Sequence, residues 1–251
     1  MAVFIFVLGG AISALGNCRV DLDLVARWSE ADSQIWVFQG VMENEDSLAF
    51  QRGPHLRQMQ EDAVATLPFV DPVRLIRRQK EVFRQAGRST DTFDLILSHS
   101  NQWIGPVSCW EASMFEFFGA QIEMPIFAAY REFGAYLLKK PQGSLVRLYV
   151  QMNHADAILP VSAQIEQRIH SDLGEGFQLE SHLHNHPFRA DWRRGDWGGT
   201  TVPSGEKGRF GDFSAYERMV SLFQLKEARI TNGIHTLRVS AKSLLSAGGR
   251  R

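Results

Sequence analysis

The chain has 251 residues, 44% hydrophobic and 22% charged, a balance that excludes a disordered or fibrous chain and leaves ample material for a buried core. Its 27 Lys and Arg stand against 28 Asp and Glu, so no net field calls for nucleic acid or an anionic membrane, and no nucleic-acid partner is expected. The two cysteines, Cys18 and Cys109, give neither a disulfide framework nor a metal-ligand spacing, and Cys109, between Ser108 and Trp110, reads as a packing residue.

Residues 1–16 carry no charge and fall short of the roughly 20 residues of a spanning helix, so stable membrane insertion is not expected. They read either as an export signal, with small residues at Ala14 and Gly16, or as a buried first strand. Asn17 before Cys18 departs from a lipoprotein box. Location stays open between export, for instance to a periplasm, and the cytoplasm.

Residues 17–118 read as a smaller mixed N-terminal region. Gln34 to Val41, rich in aromatic and β-branched residues, predicts a strand. Asp71 to Gly87 predicts a helix, with Asp71 as N-cap, Pro72 in the first turn and Gly87 as the stop. Arg74, Arg77, Arg78, Lys80 and Arg84 form its solvated basic side. The runs 93–97 and 105–109 flank a connection near His99, and Trp110 to Phe118 fits a helix or a strand equally. His99 and Glu111 read as structural rather than catalytic.

Further on, residues 132–138 and 144–150, separated by Lys139-Lys140-Pro141-Gln142-Gly143, predict a β-hairpin. Ala163 to Leu173 predicts a helix, Phe177 to His184 a strand, Phe213 to Glu227 a helix, and Ile234 to Val239 a strand. Residues 246–251 read as a loose tail. The order predicts an α/β sandwich, a mixed sheet flanked by helices.

Three of the eight histidines fall in Ser181-His182-Leu183-His184-Asn185-His186-Pro187. In an extended strand His184 and His186 project from one face, close enough to grip one metal ion, and neutral imidazole is the usual nitrogen ligand of zinc. His182 shares that face and reads as a core or supporting residue, while Asn185 points away. Downstream lie Trp192 and Trp197, candidates to wall a cleft or anchor a loop, then Pro203-Ser204 and Gly211-Asp212-Phe213. The consecutive letters His184-Asn185-His186 do not fit an HNH endonuclease, which spreads its residues over a ββα unit.

His184-x-His186-Pro187, then Pro203-Ser204, then Asp212 at a helix start resembles the JAMM (MPN-plus) metallopeptidase motif, in wording similar to its RadC-like branch. Glu132, in Glu132-Phe133-Gly134-Ala135-Tyr136, stands where that family places its upstream glutamate. The resemblance implies a JAMM-like domain over 119–245, with Zn2+ held by His184, His186 and Asp212 and an open position for water. It also implies Glu132 as general acid/base, Ser204 as donor to the oxyanion, and a peptide or protein substrate cleaved at a peptide or isopeptide bond. The gaps from His186 to Ser204 and from Ser204 to Asp212 are longer than the family's, so the loop carries insertions or the third ligand is Asp191 or Asp196. A catalytically silent JAMM-like binding or scaffold module is the alternative. Substrate identity and oligomeric state are not legible.

Overall fold

The computed structural model describes residues 19–30, 33–47, 53–129, 131–153, 162–188, 199–204 and 211–247. The readings made on residues 1–16, Cys18, Asp191, Trp192, Asp196, Trp197 and 248–251 lie outside these.

Strands β1 (Arg19–Glu30) and β2 (Ser33–Glu43) open the chain as an antiparallel pair. Helix α1 (Pro54–Thr66) follows, and then α2 (Pro72–Gln85), where the Asp71 carboxylate caps the Arg74 N–H at 2.8 Å and Pro72 occupies the first turn. Helices α3 (Asp91–Ser98) and α4 (Ser100–Trp103) lead into the short strand β3 (Ile104–Pro106). The ambiguous aromatic stretch is helical, α5 (Cys109–Gln121). At its start the Glu111 carboxylate accepts from the Ser108 N–H at 2.8 Å, as in a capping box. Cys109, read from sequence as a packing residue, is half-buried and disulfide-bonded.

After a single 3-10 turn (Ile126–Ala128) come the hairpin strands β4 (Phe133–Lys139) and β5 (Leu145–Asn153), then α6 (Ala163–Gly174) and β6 (Gln178–Asn185). Helix α7 (Asp212–Phe223), strands β7 (Glu227–Thr231) and β8 (His235–Ser240), and helix α8 (Ala241–Ala247) complete the described chain. The helix expected to run to Glu227 stops earlier, because Gln224 takes a left-handed conformation (φ 56°) and Glu227 opens a strand.

Eight strands form one sheet in the order β1-β2-β5-β4-β6-β7-β8-β3. Strands from both sides of residue 118 therefore share it. Among the described strands β6 and β7 pair in parallel and all other neighbours antiparallel, so the sheet is mixed. A parallel pair needs a crossover, and α7 lies within the one that joins β6 to β7.

Side chains alternate across the sheet. On β4, Tyr136 and Leu138 face a core shared with α3, α6, α7 and α8, whereas Ala135 and Leu137 face a core shared with α1 and α5. The α/β class expected from the element order is thus observed, with helices on both faces and eight α-helices among the described residues.

One irregularity decides where the histidines point. Leu138 pairs with Leu179 but Leu137 pairs with Ser181, so Glu180 is an extra residue with no opposite number on β4. Before it, Leu179 faces the α7 core, and after it Leu183 faces the α5 core. The even-numbered His182 and His184 are thereby turned toward α7, opposite Tyr136 and Gly134 of β4.

Candidate metal centre

His184 sits at the end of β6 and His186 one step beyond it. Asp212 is the first residue of α7, which the crossover returns over that strand end. The Nε2 atoms of His184 and His186 are 3.1 Å apart, and each lies 3.2 Å from a different oxygen of Asp212. Tetrahedral nitrogen and oxygen ligands ~2.0–2.2 Å from a metal ion are about 3.3–3.5 Å from one another, so the spacing of this donor set suits one ion. All three residues are buried or nearly so, and together they could hold one metal ion. The long gap in the sequence does not separate Asp212 from the histidines.

Each ligand is held from behind. His186 Nδ1 meets the Thr200 carbonyl oxygen at 2.8 Å, and its backbone N–H donates to the Thr231 carbonyl at 2.8 Å. Thr200 is itself placed by Gly199, whose φ of 83° and contact with the Phe188 ring leave no room for a Cβ, and whose carbonyl accepts from Asn232 Nδ2 at 2.7 Å. His184 Nδ1 lies 3.2 Å from the Tyr216 hydroxyl. With Nδ1 turned to these partners, it is the Nε2 atom of each ring that faces Asp212.

Asp212 is fixed by Ser204 and Gly211. The Ser204 N–H donates to Asp212 Oδ2 at 2.5 Å, and the Asp212 N–H donates back to the Ser204 carbonyl at 3.1 Å. Gly211, at φ 79° and ψ −161°, occupies a backbone region essentially closed to other residues and lets the chain turn into α7. The carboxylate lies at the positive end of the helix dipole.

The three residues are strongly coupled electrostatically. Burial alone would raise the Asp212 carboxyl, but the charge and hydrogen bond of His184 and those of His186 hold it well below the usual carboxylate value. Burial alone would lower His186, but the Asp212 carboxylate, with Glu132 adding, pushes it up to about 9. His182 is different: burial, reinforced by His184, drives it down to about 3, so it stays neutral. It stacks on Tyr136 with ring centroids 4.6 Å apart.

Glu132 stands immediately before β4 and lines the same pocket as Tyr136, His182, His184, Asp212 and Tyr216. Asn185, expected to point away, holds the segment around it: its Oδ1 accepts from the Phe133 N–H at 2.6 Å and its Nδ2 donates to the Arg131 carbonyl at 3.1 Å. Glu111 is structural as expected, fully buried and bonded to Thr236 and Arg238. The basic side of α2 is solvated, with Arg77 and Arg78 exposed.

Sequence reasoning missed Tyr216, Thr200 and Gly211. Tyr216 was findable, since it lies four residues after Asp212 on a helix and so shares its face. Thr200 acts through its backbone and carries no such signal.

No helix among the described residues is long and apolar enough to cross a membrane. The chain matches no protein-family model, no curated protein and no solved structure, so its description rests on the fold and the His184–His186–Asp212 group themselves.

Proposed function

We propose that the protein is a zinc-dependent hydrolase of peptide or isopeptide bonds with a JAMM-like site: His184, His186 and Asp212 as ligands, Glu132 as general base and Ser204 as oxyanion donor. The observation that carries this reading is convergence. Residues picked out of the sequence by a motif with irregular spacing meet at one place, with the ligand atoms 3.1–3.2 Å apart, Glu132 lining the same pocket and Ser204 joined to Asp212.

A bound zinc ion would supply Lewis-acid polarisation of the scissile carbonyl and make water acidic enough to ionise near neutral pH. Glu132, whose negative charge already reaches His186, would take the proton of the attacking water and pass it to the leaving amine. Ser204 would donate its hydroxyl hydrogen to the oxyanion that develops on the carbonyl oxygen. Tyr136, Tyr216 and Met219 give the pocket an aromatic and apolar wall that limits water around the reacting groups.

A catalytically silent JAMM-like binding module is the rival, and the long gap between Ser204 and Asp212 speaks for it. The two hydrogen bonds that join these residues across the gap speak against it, as does an acidic residue beside the ligands. Elemental analysis of the natively purified protein and of its His184→Ala and Asp212→Ala variants tests the ligand set. Close to one zinc per chain in the parent, lost in both variants, is expected. A parent without metal even after zinc is offered would overturn the hydrolase reading.

A further inference from the structure

We infer that Tyr216 is a positioning residue that holds the His184 ring in its metal-binding orientation and sets the affinity of the site; this rests on the ligand assignment proposed above. An imidazole can give its Nε2 lone pair to a metal only when its proton sits on Nδ1, and a buried Nδ1–H needs an acceptor. The partner at His184 Nδ1 is the Tyr216 hydroxyl, 3.2 Å away, whose oxygen can accept that hydrogen. Tyr216 has no solvent exposure, and His184 is 7% exposed, so water has little access to take over the role.

The two ligand histidines are supported by different means. His186 leans on the Thr200 carbonyl, a main-chain atom present whatever the side chain. His184 leans on a phenol that a single substitution removes. Tyr216 and Asp212 lie one turn apart on α7, so the helix that brings in the third ligand also orients the first. Any shift of α7 therefore moves two determinants of the site together.

The consequence is a specific coupling. Tyr216→Phe keeps the ring, and with it the packing against His182 (ring centroids 5.9 Å apart), and deletes the hydroxyl that meets His184 Nδ1. Removing such an outer partner lowers metal affinity on the order of 10- to 100-fold. His184 Nδ1 is then buried without its partner, and the ring loses the tether that orients it.

The test is a titration with Co2+, followed by visible absorption, of four proteins: the parent, Tyr216→Phe, His184→Ala and the double variant. Tyr216→Phe is expected to bind cobalt about 10- to 100-fold more weakly with an altered ligand-field spectrum, and the double variant no more weakly than His184→Ala alone. Parent-like affinity and spectrum in Tyr216→Phe would overturn the inference while leaving the ligand set standing. So would an equal loss in the His184→Ala background, since that would mark a general packing effect. A parent that binds no cobalt or zinc would overturn the ligand set itself.

Discussion

Asn185 holds the main chain on both sides of Glu132, accepting from the Phe133 N–H and donating to the Arg131 carbonyl. It sits between His184 and His186, so one side chain fastens the ligand-bearing strand to the segment that carries the proposed base. In Asn185→Ala, a buried N–H and a buried carbonyl lose their partner, which should cost about 1–3 kcal/mol. Hydrolysis should fall much further than zinc content, because the ligands stay while Glu132 is released. Denaturant unfolding, read alongside zinc analysis and turnover, checks this; an unchanged midpoint would show that the clasp carries no weight.

Glu132→Gln separates catalysis from metal binding. The amide nearly matches the carboxylate in size but cannot accept the proton, so zinc should be retained and hydrolysis should drop by at least about 10²-fold. Turnover equal to the parent's would refute the assigned base.

The extra residue on β6 makes a third prediction. Deleting Glu180 removes the bulge and leaves Leu179 opposite Leu138 and Ser181 opposite Leu137 in uninterrupted alternation, so His182 and His184 should still face α7 and zinc should be kept. Glu180→Ala keeps the residue count and removes only a partly exposed ion pair with Lys226, so it should keep zinc and change stability by less than about 1 kcal/mol. Zinc analysis and thermal unfolding of the two variants check this; zinc lost on deletion would show that the bulge itself is needed to hold the histidines in place.

Local signals in the sequence were legible where they act locally. The cap, proline and stop of α2 are read from consecutive residues, and so is the β4–β5 hairpin with its Pro-Gly turn. The histidine face also followed from alternation, although its orientation depends on an extra residue that only pairing with β4 reveals. The end of α7 was not legible, because Gln224 takes a left-handed conformation usually left to glycine or asparagine. The capping box of α5, Ser108 with Glu111, was present as letters and would have settled that stretch as helix. The disulfide at Cys109 depends on a contact distant in sequence, which spacing alone does not show.

The bonds between Ser204 and Asp212 give the insertion a thermodynamic meaning. Ser204 and Asp212, which flank residues 205–211, are tied to each other at the proposed ligand itself, so the position of Asp212 does not depend on how much chain runs between them. Lengthening a flexible loop between fixed ends costs only about 0.6 kcal/mol per doubling. This is therefore a place beside the reacting groups where added residues, including ones that recognise a particular substrate, can accumulate with little penalty to folding.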